Sequence, residues 1–343
     1  MPTFRDFMET ALYDPERGFY ATRKPQADFY TAPELHPAFA NILAAEIAQR
    51  LAKVREQRPR SPLFVVEMGS GTGRLARQVL TALRDEHPRW FRRIRYVLIE
   101  RSEKVLLDSI FDLQDLGAGV MGYSDLSDMP PVCGVFLSNE LVDAFPVHVL
   151  TKAHGEVREL HVRPRRKHGR KDGAVKAEPG PLSKKSLLKH AQAVAQDLPE
   201  GGTHAVCLEA ASWMSLVSRR LKAGSVITVD YGKRFNPGDP NPPRGFRSHS
   251  HVADLLAASG RQDLTASVDF RALEAAGAAA GLTTALFSPL SSFLLERGIL
   301  GLMPKGDSAE AWAERAKVKT LFHPEGMGEA FKVLIQEKGA SHS

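Results

Sequence analysis

Cysteine is almost missing from this chain: Cys133 and Cys207 are the only two in 343 residues. Two thiols give no disulfide framework, which excludes the small stapled secreted scaffolds and fits a reducing compartment. Long apolar runs are missing as well. No stretch approaches the roughly 18 residues of a membrane-crossing helix, so no membrane insertion is expected. The charged opening MPTFRDFMETALYDPERGFY has no apolar core of the kind a secretory signal needs, and cytoplasm is the expected location. No internal repeat recurs, which excludes solenoids and propellers. What remains is ordinary globular material, 43% hydrophobic and 25% charged, long enough for one large α/β domain with insertions or for two smaller ones.

An evenly spread charge is also lacking. The formal net charge is +6, but ten Lys or Arg between Arg163 and Lys189 stand against only Asp172 and Glu178, a local +8 that leaves −2 for everything else. The basicity belongs to one segment. That segment has no aromatic residue to stack on bases, so it reads as a solvated loop, and nucleic acid is not the expected partner.

The chain organises into three parts. Residues 1–60 read as a helical region: DFYTAPELHPAFANILAAEIAQRLAKV carries a start signal, with Thr31, Pro33 and Glu34 fitting a capping box and an early-turn proline. Residues 61–303 alternate strands with helices, which argues for a mostly parallel sheet covered on both faces. Its strands are LFVVEM, RYVLIE (95–100), a weaker VMGYS (119–123), VCGVFLS (132–138) and SVITVDYG (225–232). VHVLTK and EVRELHVR form an expected hairpin, and the basic 164–186, rich in Gly and Pro, an inserted loop. Residues 304–343 read as a helical extension.

The chemistry starts at VVEMGSGTG. A buried strand, a glycine-rich turn and an amphipathic helix are how open α/β proteins hold an adenine-containing cofactor. The glycines fall at 69, 71 and 73, whereas the dinucleotide pattern needs one at 74, where Arg stands. Glu67 closes the strand just where a pyrophosphate would come. A carboxylate there repels a diphosphate and favours a cation, such as the ammonium of S-adenosylmethionine (SAM). Glu100 ends the second strand at the spacing of an acid that binds ribose hydroxyls, and Asp125 past the third strand suits the adenine amino group. The ordered set points to SAM. An NAD-dependent oxidoreductase ranks last among the readings.

On the acceptor side, the fourth strand runs into SNELVDAFPVHVL (138–150). Asn139, Glu140 and Asp143 put an amide and two carboxylates where a methyltransferase presents the transferable methyl, and such a set suits a cation. A guanidinium, planar and charged at any physiological pH, pairs bidentately with carboxylates. The same three residues also fit a plain loop, with Asn139 capping the next turn.

FMETALYDPERGFY, DFYTAPELHPAF, VVEMGSGTG, YVLIERS, SNELVDAFPVHVL, SVITVDYG, DLTASVDF and FLLERGI follow one another from Phe7 to Ile299. In this order they resemble the MidA-like family of class I SAM-dependent methyltransferases, which includes a mitochondrial assembly factor of respiratory complex I. The resemblance implies an α/β, Rossmann-like methyltransferase sheet with an N-terminal helical region and a helical C-terminal part. It implies SAM on Glu67, Gly69, Gly71, Gly73 and Glu100, and the acceptor at Asn139, Glu140 and Asp143. It also implies cofactor cover by Asp28, Phe29, Thr31, Pro33 and Glu34, residues that have the capping explanation too. The implied substrate is a protein arginine, with a respiratory-complex subunit as a candidate partner. Methylation of a small molecule or nucleic acid, and a non-catalytic assembly role, are the other readings. Departures are a short glycine-poor approach before Asp28, Ser267 where the family motif has histidine, and the basic insertion. His249 and His251 lie near enough in sequence to stand in for that histidine.

Overall fold

The computed structural model describes residues 1–22, 31–167, 170–247 and 250–339. They divide into two compact units, one of Met1–Tyr30, Val142–Ala211 and Arg234–Asp269, the other of Thr31–Leu141, Ser212–Lys233 and Phe270–Ser343.

The second unit holds the large sheet. LFVVEM is strand β1 (Leu63–Met68), followed by β2 (Ile94–Ile99), β3 (Val120–Tyr123) and β4 (Val132–Asn139). Near-continuous apolar runs form these strands because both faces are covered. The sheet order is Thr283–Pro289, Phe331–Lys338, Leu221–Lys233, β4, β1, β2, β3. All pairings from Leu221–Lys233 to β3 are parallel, while Phe331–Lys338 runs against both of its neighbours. The chain goes from β1 to β2 and β3 on one side, then crosses to β4 on the other. That reversal places a crevice at the carboxyl ends of β1 and β4, where open α/β sheets bind ligands.

Helix Ala38–Gln57 covers one face. Phe39, Ile42, Leu43, Ile47, Leu51 and Val54 recur at helical spacing and are buried with Leu63, Val65, Tyr96, Leu98, Val135 and Leu137 of the strands. Arg74–Glu86 has the same logic, with Leu75, Val79, Leu80 and Leu83 buried.

The first unit is built on antiparallel pairing. His148–Ala153 pairs with Glu156–Lys167 as expected, and also with Thr203–Val206. Helix Phe4–Tyr13 buries Phe4, Met8, Ala11 and Leu12 in a core shared with Val147, Val149, Val162 and Leu264.

Two expectations are corrected. The segment 164–186 is largely strand: Glu156–Lys167 and Arg170–Gly180 pair in register from Glu159↔Gly180 to Lys167↔Arg170. Backbone hydrogen bonds hold a strand whatever its side-chain charge, so composition alone hid the pairing. Residues 304–343 contain the helix Ala309–Phe322, but also Phe331–Lys338, whose Val333, Leu334 and Ile335 are buried in the large sheet. A short apolar run carries no period that separates strand from helix.

Candidate functional site

The turn after β1 has a backbone only glycine tolerates at low cost. Gly69, Gly71 and Gly73 have φ of 69°, 50° and 71°, in the left-handed region that other residues avoid. A Cβ on Gly69 would stand 2.7 Å from Leu141 Cδ1, whereas above Gly71 nothing lies within 4 Å. The loop is thus closed against the protein on one side and open on the other. Gly69 N–H and Ser70 N–H donate to Ile99 O, and Gly73 N–H to Ser70 O, which fixes the turn at the start of helix Arg74–Glu86.

Glu67 is buried, and its Oε2 accepts from the Tyr96 hydroxyl at 2.6 Å. Burial pushes its carboxyl up to about 8, against the smaller opposing effect of that hydrogen bond. The negative charge expected from the sequence is therefore held as a neutral acid at neutral pH. Tyr96 escaped notice in the sequence. The parallel register Val65↔Tyr96 and Glu67↔Leu98 puts it on the face of Glu67, and its signal was a polar tip inside an apolar strand.

Glu100 sits one residue past β2 and is half-buried. Its Oε2 accepts from Gly71 N–H at 3.0 Å and its Oε1 from Ser102 N–H at 2.9 Å, so it is joined directly to the glycine turn. Ser109 Oγ donates to Gly71 O from the far side. Asp125 is exposed and caps the turn Leu126–Asp128, accepting from Ser127 N–H at 2.6 Å; this contact draws its carboxyl below the usual range.

The end of β4 is strained. Glu140 has φ 51°, a left-handed conformation costing a bulky residue of order 1–3 kcal/mol. It is fixed there by Glu140 N–H donating to Val229 O at 2.9 Å. Glu140 Oε1 accepts from Asn139 Nδ2 at 3.1 Å and from Ala32 N–H at 3.3 Å. The second contact ties Glu140 to the short helix Ala32–Leu35. In that helix Thr31 N–H donates to Glu34 Oε2 at 3.0 Å, and Pro33 O accepts from Gln78 Nε2. Glu34 is thus engaged as a capping residue beside Glu140. Asp28 and Phe29 lie outside the described residues.

Four polar atoms around these strand ends are buried with no hydrogen-bond partner among the described residues: Ser70 Oγ, Ser138 Oγ, Asn139 Oδ1 and Thr228 Oγ1. Ser138 lies opposite Met68 on one side and Thr228 on the other. Orphaned polar groups are costly unless a ligand or water completes them.

Asp143 belongs to the other unit, where its Oδ2 accepts from Thr265 Oγ1 at 2.8 Å and its carbonyl from Ala266 N–H. In the same unit Tyr20 OH donates to Asp263 Oδ1 at 2.9 Å, and its ring stacks on Tyr13. Ser267 is buried; its hydroxyl accepts from Arg244 and its carbonyl from Asn241 Nδ2. His251 is exposed against Phe246, and His249 lies outside the described residues.

Residues 42–288 match a family described as S-adenosyl-L-methionine-dependent methyltransferases. A zebrafish (Danio rerio) relative named protein arginine methyltransferase NDUFAF7, mitochondrial, is 27% identical over 95% of this chain and 81% of its own. The human (Homo sapiens) protein of that name is 26% identical over 78% of this chain and 64% of its own. A Burkholderia thailandensis crystal structure, described as a methyl transferase bound to S-adenosyl-homocysteine, superposes with a TM-score of 0.84. It is 27% identical and spans 99% of this chain and 89% of its own.

These relatives correct the cytoplasmic expectation, since the zebrafish and human proteins are named as mitochondrial. Scarce cysteine separates reducing from oxidising surroundings only, and so does not choose between the cytoplasm and the mitochondrion. No helix among the described residues is long and apolar enough to cross a membrane.

Proposed function

Since the chain belongs to the MidA-like family of SAM-dependent methyltransferases, with SAM as its cofactor, we propose that it methylates an arginine side chain of a protein substrate. The observation that carries the acceptor is the strained Glu140 beside Asn139 at the end of β4. A non-glycine residue held in the left-handed region, by contacts that over-determine it, is characteristic of functional sites. The names of the zebrafish and human relatives support the same acceptor.

The residues fit the cofactor. The open space over Gly71 admits a ligand close to the backbone, and Ser70, Ser138, Asn139 and Thr228 have hydrogen-bonding atoms to spare. Glu67 would meet the ammonium, Glu100 the ribose hydroxyls and Asp125 the adenine amino group. Thr31, Pro33 and Glu34 would cover the cofactor from the short helix Ala32–Leu35. When bound, SAM supplies a methyl group activated by its sulfonium.

The remaining work falls to the chain. Glu140 pairs with the guanidinium, orients one nitrogen and localises the positive charge on the others, so that the attacking nitrogen regains a lone pair. Asn139 Nδ2 holds Glu140 Oε1 in place, and the carboxylate of Glu140 takes up the departing proton. A subunit of a respiratory complex is the partner suggested by the resemblance.

The test is Glu140→Gln, which keeps shape and removes charge. Turnover on an arginine-bearing substrate is expected to fall roughly 10²-fold or more, with SAM affinity changed by less than about threefold. Full activity in that variant, or label from SAM found on a hydroxyl or a carboxylate, ends the arginine reading.

A further inference from the structure

We propose that Gln78 is a positioning residue for methyl transfer: it holds the short helix Ala32–Leu35, and that helix holds the carboxylate of Glu140. This role rests on the reading of Glu140 as the acceptor carboxylate, and adds the residue that keeps it in place. The helix Ala32–Leu35 cannot hold itself. It has four residues, far fewer than the roughly 12–15 at which an isolated helix becomes even marginal. Its local bonds are Glu34 N–H and Leu35 N–H donating to Thr31 O, with the capping box of Thr31 and Glu34. Contacts from outside must fix where it lies.

Two hydrogen bonds do so. Ala32 N–H donates to Glu140 Oε1 at 3.3 Å, and Pro33 O accepts from Gln78 Nε2 at 2.9 Å. A weaker tie follows the helix, where His36 Nε2 stands 3.8 Å from Glu314 Oε2. Gln78 lies in the second turn of helix Arg74–Glu86, which starts at Gly73. One rigid element thus carries both the end of the glycine turn and the donor that sets Pro33.

The amide of Gln78 has one orientation open to it. Pro33 O is an acceptor only, so the NH2 group must face it. Its Oε1 is left buried with no hydrogen-bond partner among the described residues. A buried carbonyl without a partner is destabilising, and an apolar side chain of the same shape would avoid that cost. Packing alone therefore disfavours glutamine here. What glutamine adds is the donor.

At the other end of the relay, Asn139 Nδ2 and Ala32 N–H reach the same oxygen of Glu140. The last torsion of a glutamate is broad, and two donors on Oε1 narrow it. The plane of the carboxylate in turn aligns the nitrogen that attacks the methyl group. Loosening Pro33 loosens Ala32, and the carboxylate turns.

Gln78→Met keeps length and helix propensity but removes the donor. Hydrogen exchange over residues 31–35 of the full chain is expected to quicken at least about fivefold, with an unchanged denaturation midpoint. SAM affinity should change by less than about twofold, the mark of a loss confined to transfer. Turnover with tritiated SAM and total cell protein as acceptor should fall roughly tenfold, less than in Glu140→Gln. Gln78→Lys, whose ammonium reaches the same carbonyl, should restore the slow exchange and most of the turnover. In the Glu140→Gln background Gln78→Met should cost nothing further, since a residue acting through Glu140 has nothing left to position. Native exchange in Gln78→Met overturns the proposal, as does a further loss in the Glu140→Gln background. Faster exchange with native turnover also overturns it. The acceptor reading then stands if Glu140→Gln alone is slow, and falls too if that variant keeps full activity.

Discussion

Tyr96 and Glu67 share a proton-bearing contact of 2.6 Å inside the large sheet, from adjacent strands and 29 residues apart. Among the described residues no basic side chain shares in this contact, so the carboxyl keeps its proton unless a cation is brought to it.

Cofactor binding should therefore release a proton. With the carboxyl at about 8 in the free protein, SAM affinity should rise with pH by up to about tenfold per unit below that value. The free protein should show the opposite trend in stability: the carboxyl's contribution is fully present below its ordinary 4.5 and is lost as pH rises towards 8. Calorimetry in buffers of different ionisation heat counts the proton. A flat affinity between pH 6 and 8 would separate Glu67 from the ammonium.

Glu100→Ala should weaken SAM by about 1–3 kcal/mol, the range for hydrogen bonds to a charged group. Because Glu100 also accepts from Gly71 N–H and Ser102 N–H, the free protein should lose about 1 kcal/mol of stability as well. Unchanged affinity together with a lowered melting temperature would leave Glu100 a loop clasp only.

Glu140→Gly and Glu140→Ala both remove the carboxylate, and both should lose activity. They differ in how well they accept φ of 51°. The Gly variant should be more stable than the Ala variant by about 1 kcal/mol. Equal denaturation midpoints would mean the backbone there relaxes freely.

Glu46 lies buried between Arg50 and Arg297, accepting from Arg50 Nε at 2.7 Å and Arg297 Nε at 2.6 Å. Burial alone would raise its carboxyl, but the two arginines outweigh it and hold the group below the usual range. Its stabilisation is present above the ordinary 4.5 and is lost as pH falls through the lowered value. Glu46→Ala should cost about 1–3 kcal/mol, the range for lost hydrogen bonds to a charged group, because Arg50 keeps Glu337 and Arg297 keeps Glu296 as partners; urea melts showing no loss would refute this.

The parts legible in the sequence are those fixed by local period and turn chemistry. LFVVEM, the glycine turn and helix Arg74–Glu86 needed only apolar spacing and the left-handed tolerance of glycine. Tyr96 opposite Glu67 depends on register between strands, and Glu140 against Ala32 N–H joins positions 108 apart. No local pattern announces either. The hairpin was lost because its cations look solvated in one dimension, and FKVLIQEK because eight residues are too few to show a period.

The order of the large sheet also bears on how the chain is made. Leu221–Lys233 is bordered on one side by β4, already synthesised, and on the other by Phe331–Lys338, which follows it by about a hundred residues. While the ribosome works through that interval, an apolar strand edge stands uncovered, ready to pair with a neighbouring nascent chain. Closure waits for Val333, Leu334 and Ile335 to emerge. A premature stop only a dozen codons before Lys338 would release a chain that carries the glycine turn, Glu67, Glu100 and Glu140, and yet be a substrate for chaperones and proteases rather than an enzyme.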